Sequence, residues 1–231
     1  MSNQENNPEI RYTQAAQQAL EVEQCRELLE KDITILDTRH PEQFAEGFVP
    51  GSIFIGPDER MGHWAASLLP LHRPVLLIAD SGREAEAARH LVKSGFTHFA
   101  GFLRGGFEAW QQAGQPVDLL ITVEADELAM DLPFDTNLLP LDVRSLHEFA
   151  AGHIKGALNI PLNDFNDPAI LAGLEEEHNL YVYSGNGYRS VIACSLLKRE
   201  GIQHLRNVSG GWEKISQESR IPVEKDGTVL N

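Results

Sequence analysis

Short apolar runs alternate with amphipathic segments along the chain. The runs Ile33–Arg39 and Val75–Asp80 are rich in branched aliphatic residues and have the length of strands. The second run is continuously apolar, which is typical of a strand buried on both faces of a parallel sheet. Glu21–Glu30 carries apolar residues at helical spacing, and Arg83–Ser94 is predicted as a second helix that ends at Gly95. Strands that alternate with helices predict an α/β fold with a mainly parallel sheet.

The remaining elements continue this alternation in both halves of the chain. In the first half we predict a helix over 41–47, a strand over 52–56, a helix over 61–69, a strand over 98–102 and a Gly-Gly segment over 105–114. In the second half the corresponding segments are 139–144, 147–154, 157–161, 179–185, 188–201 and 205–212. The helix over 41–47 begins with proline and ends with glycine, the usual punctuation of a short helix.

The second half of the chain repeats the first at an offset of 105 residues. When Leu36–Ile55 is placed over Leu141–Ile160, eight of the twenty positions are identical. The same offset places GGFE (Gly105–Glu108) over GGWE (Gly210–Glu213). A period this long, seen only twice, indicates tandem domains rather than a solenoid.

The repeat predicts where the domains begin and end. We expect a first domain over 13–117 and a second over 121–231. The linker is expected between Pro116 and Asp131, where the pattern resets. Residues 1 to about 12 are expected to form a frayed tail.

Charge and composition narrow the class of protein. The 231 residues include 19 Lys and Arg against 34 Asp and Glu, a formal net charge of −15. This excess argues against nucleic acid and anionic membranes as partners, although it allows a small anion in one local pocket. No apolar stretch approaches the length of a membrane span, and the N-terminus lacks the pattern of a signal peptide. A soluble, cytoplasmic protein is therefore expected.

Cysteine and histidine positions give no sign of a metal site or of a cofactor. The two cysteines, Cys25 and Cys194, are too few for a disulfide framework or a zinc site, and both fall on predicted apolar helix faces. We expect both to be buried small side chains. The histidines are scattered without the spacing of metal ligands, so no metal is predicted.

The candidate chemistry lies in a glycine-rich loop directly after the apolar strand of the second copy. The loop consists of Ser184, Gly185, Asn186, Gly187, Tyr188, Arg189 and Ser190. Its two glycines allow backbone N–H groups to point inward, and the helix entered at Ser190 adds its positive end. Arg189 adds a cation, and no acidic residue lies within the loop. Together these features predict a concave anion-binding site, which we call the cradle. Tyr188 either lines this site or is an exposed residue without a role.

The motifs LDVRSLHEFAAGHIKGALNIP, SGNGYRS and VSGGW resemble, in this order, those of the rhodanese (thiosulfate sulfurtransferase) superfamily. The resemblance implies two tandem rhodanese-like domains, each with a mainly parallel five-stranded sheet flanked by helices. In that family the loop reads Cys-x4-Arg. The cysteine takes a sulfane sulfur from thiosulfate or a related donor and passes it on as a persulfide. The chain is also similar to the tandem modules behind persulfide dioxygenases of the metallo-β-lactamase fold, which would imply a protein partner from sulfur metabolism.

The second loop departs from the family at the nucleophile. It matches at Arg189 and in length, but the cysteine position is Ser184. A thiol at a helix N-terminus is ionised in the cell, whereas a serine hydroxyl stays protonated without a general base, and oxygen carries no stable persulfide. No His and carboxylate in the motif complete a serine triad. We expect the second domain to bind thiosulfate or a persulfide without turning it over.

The first loop departs further. It consists of Ala79, Asp80, Ser81, Gly82 and Arg83, followed by Glu84, and is one residue shorter. Ala79 aligns with the nucleophile, and two carboxylates accompany the single cation. We expect this copy to be an inactive module with a scaffold or interface role.

Several residues outside the loops are expected to serve the structure. Asp37 with Arg39, and Asp142 with Arg144, are predicted to form ion pairs near the end of each sheet and to orient the loops. His153 matches a histidine of the family that we interpret as structural, and Phe48 takes its place in the first copy. Trp110 and Trp212, which follow the Gly-Gly pairs, are predicted to pack against the sheets.

Three functional hypotheses remain open. The first is a sulfurtransferase scaffold whose catalytic cysteine has been replaced by Ser184, through an introduced change or a recent loss. The second is a natural pseudoenzyme that binds a small sulfur oxyanion as a sensor or carrier. The third is an interaction module whose acidic surface docks a basic partner without any ligand. Only the first two need the cradle formed by Gly185, Gly187 and Arg189.

Overall fold

The computed structural model describes residues 18–57, 60–171, 174 and 178–226. The predicted N-terminal tail lies outside these residues. The chain divides into two compact units, Met1–Leu119 and Leu120–Asn231.

The first unit is built on a five-stranded sheet in which every neighbouring pair is parallel. The strands lie in the order β1-β5-β4-β2-β3. They are β1 (Ala19–Leu20), β2 (Thr34–Asp37), β3 (Ile53–Phe54), β4 (Val75–Ile78) and β5 (Phe99–Leu103). The helices of this unit are α1 (Val22–Leu28), α2 (Pro41–Glu46), α3 (Met61–Leu68), α4 (Glu84–Lys93) and α5 (Gly106–Gln112).

The second unit repeats this topology strand for strand. Its five-stranded parallel sheet has the order β6-β11-β10-β7-β9. The strands are β6 (Ile121–Val123), β7 (Leu138–Asp142), β9 (Leu158–Asn159), β10 (Asn179–Tyr183) and β11 (Leu205–Val208). The equivalent order in both sheets confirms the predicted pair of α/β domains, each with a five-stranded parallel sheet.

Helices and one small extra sheet complete the second unit. The helices are α6 (Ala125–Asp131), α7 (Leu146–Ala151), α8 (Pro168–Leu171), α9 (Tyr188–Arg199) and α10 (Gly211–Ile215), with a 3₁₀ turn over Leu162–Asp164. The extra sheet pairs β8 (His153–Ile154) with β12 (Val223–Glu224) in antiparallel orientation. The predicted segment 147–154 thus contains most of the helix α7 and the strand β8.

Each unit has its own apolar core around its central strand. In the first, all four residues of β4 are buried, as expected for a central strand of a parallel sheet. Cys25 and Trp110 pack into that core, and the Trp110 indole N–H donates to the carbonyl of Pro116 at 2.7 Å. In the second, Tyr181 and Tyr183 of β10 are buried in the core cluster.

Both cysteines are fully buried, as predicted. Burial raises the pKa of the Cys25 thiol to about 12 and also raises the pKa of Cys194. Neither side chain is therefore present as a reactive thiolate at neutral pH.

The predicted linker over Pro116–Asp131 is wrong for most of its length. Ile121–Val123 forms the edge strand β6, which pairs with β11, and α6 follows directly. Glu124 opens that helix with a capping box, and Leu128 is buried in the second core. The strand escaped prediction because it has only three residues, two of them exposed, and so carries almost no periodicity.

Within the described part of the chain, no helix is both long enough and apolar enough to cross a bilayer.

Candidate functional site

The loop Ser184–Ser190 follows β10 at the carboxyl end of the second sheet and leads into α9. Ser184 is completely buried, and its Oγ accepts a hydrogen bond from the backbone N–H of Ser190 at 3.2 Å. The chain turns at Gly187, whose φ of +94° lies in the left-handed region that favours glycine. The helix begins at Tyr188, two residues earlier than predicted, so the side chain of Arg189 projects from its first turn. The Ser184 side chain therefore faces the start of a three-turn helix.

The segment that begins with the pair Gly210–Gly211 packs against the backbone of this loop. The N–H of Trp212 donates to the carbonyl of Ser184 at 2.7 Å, and the N–H of Glu213 donates to that of Gly185 at 3.0 Å. Gly211 has a φ of +53°, and a Cβ atom on it would collide with the carbonyl oxygen of Ser184. In the first unit a Cβ on Gly106 would lie 2.7 Å from the carbonyl oxygen of Ala79. The repeated Gly-Gly motif thus allows a helix N-terminus to approach the loop backbone.

Asn207 of β11 ties the loop to the sheet. The hydroxyl of Ser190 lies 2.7 Å from Asn207 Oδ1 and 2.8 Å from the carbonyl oxygen of Gly187. Both side chains are almost completely buried. These contacts fix the first turn of α9 relative to the loop, so its backbone N–H groups are held in place before any ligand arrives.

Arg189 is paired with a carboxylate that lies outside the loop. Its Nη1 and Nη2 donate to the two carboxylate oxygens of Glu148 at 2.9 and 2.6 Å. Glu148 lies in the first turn of α7, where it also closes a capping box with Ser145. The guanidinium holds the pKa of Glu148 at about 2. The positive charge at the loop is therefore shared with a carboxylate. Two backbone N–H groups of the first turn of α9 are engaged as well: that of Tyr188 donates to Asn186 Oδ1 and that of Ser190 to Ser184 Oγ, both at 3.2 Å.

We expect the substitution Glu148→Gln to change how stability depends on pH. In the folded chain the pKa of Glu148 is about 2 against an ordinary value of 4.5. A lowered pKa stabilises the fold above the ordinary value, and this stabilisation is lost as the pH falls from about 4.5 towards about 2. Urea unfolding should therefore show the natural chain more stable than the variant at pH 6, with the difference shrinking at pH 3. An equal difference at both pH values would contradict the ion pair.

A buried ion pair lies at the carboxyl end of each sheet, as predicted. In the second unit Arg144 Nε lies 3.0 Å from both carboxylate oxygens of Asp142, and Nη2 reaches Oδ2 at 2.6 Å. The same Nη2 donates to the carbonyl of Gly152 at 2.6 Å. The guanidinium also lies over the ring of Trp212, 4.6 Å from its centroid. The pair thereby connects the strand end to the Gly-Gly segment that supports the loop.

The first unit repeats this pair beneath a different loop. Arg39 Nη2 contacts Asp37 Oδ2 at 2.6 Å and the carbonyl oxygen of Gly47 at 2.8 Å. Ala79, directly after β4, is buried at the position equivalent to Ser184. Arg83 pairs with Glu86 on its own helix, with distances of 3.0 and 3.1 Å.

The first loop borders a pocket of about 100 Å³. Asp80 contributes a carboxylate to it, and the amide of Gln43 lies 3.4 Å from that carboxylate. Gln43 occupies the position of Glu148 in the repeat. At this repeat position the second unit has Glu148, which binds the loop arginine Arg189. The first unit has Gln43, which contacts the loop carboxylate Asp80.

Comparison with known proteins decides the family. The family described as "Rhodanese-like domain" matches twice, over residues 21–113 and 124–218. The chain belongs to the rhodanese family. The two matched segments agree with the two units and with the equivalent order of their strands.

Individual relatives cover parts of the chain. The protein YqhL of Bacillus subtilis is 35% identical over 74 residues, 32% of this chain, and the chain spans only 57% of its length. The thiosulfate sulfurtransferase GlpE of Pseudomonas aeruginosa (strain LESB58) is 32% identical over 95 residues, which are 41% of this chain and 84% of GlpE.

Solved rhodanese structures are also similar. A rhodanese-like domain protein of Staphylococcus aureus is 27% identical with a TM-score of 0.42, over 47% of this chain and 100% of that chain. A thiosulfate sulfurtransferase of Pseudomonas aeruginosa is 18% identical with a TM-score of 0.40, over 91% of this chain and 44% of that one. The similarity to modules behind metallo-β-lactamase-fold dioxygenases is tested by none of these and stays a prediction.

His153 has the surroundings of a structural side chain. Its ring stacks on Phe149 with a centroid distance of 3.7 Å, and its Nδ1 lies 2.9 Å from the carbonyl oxygen of Phe149. Phe48 stacks on Phe44 in the same way in the first domain, at 4.1 Å. The two domains therefore fill one packing position with different rings.

Three features of the site were absent from the sequence-based prediction. They are the pairing of Glu148 with Arg189, the anchoring contact of Asn207 and the support from Gly211. The Gly-Gly repeat was visible as a motif, but its role depends on a close approach between segments 27 residues apart in sequence. Among the described residues, no group of three or more His, Cys, Asp or Glu is arranged to hold a metal ion.

Proposed function

We propose that the second domain binds a small sulfur oxyanion such as thiosulfate at the loop Ser184–Ser190, without transferring its sulfur. The observation that carries this proposal is the buried Ser184, which lies at the family's nucleophile position in a loop of the family's length. The loop backbone is held by Gly211 and Asn207 as a site for an anion would require. In this proposal the chain is a rhodanese-type scaffold and a pseudoenzyme as it stands.

The surroundings of Ser184 support binding without turnover. Its Oγ accepts the N–H of Ser190 and, among the residues that the structure describes, contacts no histidine or carboxylate that could remove its proton. A serine hydroxyl without such a base is a poor nucleophile. An oxygen nucleophile would also leave no stable persulfide to pass on.

The distribution of charge supports an anion as the ligand. Within 184–190 there is no acidic residue, and α9 directs its N-terminal N–H groups at the loop. Glu148 offsets the charge of Arg189, so the site favours an anion through hydrogen bonds more than through net charge.

The two domains would then have different roles. The first, over 13–117, has Ala79 at the nucleophile position and the carboxylate of Asp80 in its loop. In our proposal it takes no part in sulfur transfer. The second, over 121–231, carries the oxyanion site.

The test combines binding and turnover on the natural chain. Isothermal titration with thiosulfate should show one binding event, and a thiosulfate:cyanide assay should show no activity above a heat-killed control. The variant Asn207→Leu, which removes the contact with Ser190, should weaken thiosulfate binding. If this chain transfers sulfur from thiosulfate to cyanide, the proposal that it is inactive is wrong. If it does not bind thiosulfate, the proposed oxyanion site is wrong.

A further inference from the structure

The ion pair between Glu148 and Arg189 lies directly against the loop of the second domain. A Cβ atom on Gly185 would come within 3.1 Å of Arg189 Nη2 and 4.0 Å of Glu148 Oε1. The arginine side chain is 19% exposed and the glutamate side chain 37%, so solvent reaches both. A ligand that binds along Ser184–Ser190 therefore meets the carboxylate as well as the guanidinium.

The charges of the segments that support the loop also cancel. Arg144 contacts Asp142 at 2.6 Å at the end of β7. On the Gly-Gly segment that packs against the loop, Glu213 and Lys214 are exposed neighbours of opposite charge. The N-terminal end of α9 adds the equivalent of roughly half a positive charge. This partial charge is closer in size to the charge of a monoanion than to that of a dianion.

We infer that Glu148 determines the charge of the ligand, so that the second domain takes a singly charged sulfur oxyanion, such as a thiosulfonate, in preference to a doubly charged one. This inference rests on the oxyanion site proposed above and names its class of ligand. The transfer of an anion out of water costs more when its charge is larger. Because Glu148 neutralises Arg189, the second charge of a dianion gains no cation in return. Glu148 is therefore a specificity-determining residue of the site.

The substitution Glu148→Gln removes this charge with little change of shape. Gln43 occupies the same repeat position in the first domain, where its Oε1 accepts the backbone N–H of His40 at 2.9 Å. Glu148 accepts the backbone N–H of Ser145 in the equivalent way, at 3.0 Å. A glutamine at position 148 can therefore keep the helix cap, while Arg189 loses its carboxylate partner.

The test compares thiosulfate with methanethiosulfonate, in which a methyl group replaces one oxygen and the ion carries one negative charge instead of two. Isothermal titration of the full chain at low ionic strength should show that it binds methanethiosulfonate at least as tightly as thiosulfate. In the Glu148→Gln variant, the affinity should rise about threefold for methanethiosulfonate and about tenfold for thiosulfate. The second factor is about the square of the first, because a dianion has twice the interaction energy with the removed charge. The ratio of the two affinities should therefore shift about threefold towards thiosulfate.

Glu200→Gln is the matched control, because it removes the same charge from an exposed position at the far end of α9. Both affinities should stay unchanged in this variant. If Glu148 only supported the loop, its substitution would alter both affinities equally, and an unchanged ratio overturns the inference. A preference of the natural chain for thiosulfate by about tenfold or more overturns it as well, without any variant. If the natural chain and the Glu148→Gln variant bind neither ligand, the proposed oxyanion site itself is wrong and the inference is wrong with it.

Discussion

Replacing Ser184 by cysteine is expected to create a thiosulfate:cyanide sulfurtransferase, at least about a hundredfold more active than the natural chain. The side chain of residue 184, directly after β10, faces the start of α9, and the N–H of Ser190 already donates to its Oγ at 3.2 Å. Both features stabilise a thiolate and lower the pKa of a cysteine placed there. Serine and cysteine differ little in volume, so the loop should keep its conformation.

The expected reaction has two balanced steps. The thiolate attacks the outer sulfur of thiosulfate, forms a new S–S bond and releases sulfite, which leaves with the electron pair of the old S–S bond. Cyanide then attacks the outer sulfur of the persulfide, which gives thiocyanate and regenerates the thiolate. No other oxidant or reductant is needed.

The first domain offers a matched control for this substitution. Ala79→Cys places a thiol at the equivalent buried position, beneath a loop that contains Asp80 and whose arginine is paired with Glu86. This variant should stay inactive, because the nearby carboxylate raises the pKa of the thiol and repels thiosulfate. Equal activity in the two variants would contradict the assignment of the sulfur site to the second domain.

Removing Arg144 is expected to destabilise the second domain by about 3–5 kcal/mol, the cost of leaving a buried charge without its partner. Asp142 is completely inaccessible to solvent, and Arg144 satisfies both of its carboxylate oxygens as well as the carbonyl of Gly152. In the Arg144→Ala variant the buried Asp142 carboxylate loses the guanidinium that it contacts.

The measurement should resolve the two domains. Hydrogen exchange of the β10 amides reports the opening of the second domain, and exchange of the β4 amides serves as the internal reference. Arg220→Ala is the control: it breaks a pair with Glu218 in which the arginine side chain is 52% exposed. Because exposed ion pairs contribute little to stability, this variant should leave the stability of the second domain nearly unchanged. A similar effect of both variants would contradict the importance of burial.

The fold could be predicted from the sequence because each sheet is built from strongly apolar strands and the pattern occurs twice. The central strands β4 and β10 are buried on both faces, and their apolar runs predict buried strands of a parallel sheet. The edge strands β1 and β6 and the pair β8–β12 were missed. Such strands have two or three residues and are held by their neighbours, so their own sequence carries little signal.

The loop of the candidate site could be predicted, whereas its supports could not. Ser184–Ser190 is one contiguous segment, so its glycines and its arginine are visible in sequence. Glu148 lies 41 residues before Arg189 and meets it only because α7 and α9 begin at the same sheet edge. Asn207 likewise reaches Ser190 from a neighbouring strand, and Phe102 at the equivalent position of the first domain gives no hint of that contact.

The central claim is that the second domain is a rhodanese site complete except for its nucleophile. Mass spectrometry of Ser184→Cys after treatment with thiosulfate tests it most directly, because it locates the transferred sulfur. The account predicts one added sulfur on the peptide that contains residue 184, and none on Cys25 or Cys194, which are buried with raised pKa values. If residue 184 carries no added sulfur while the protein remains folded, the account is contradicted.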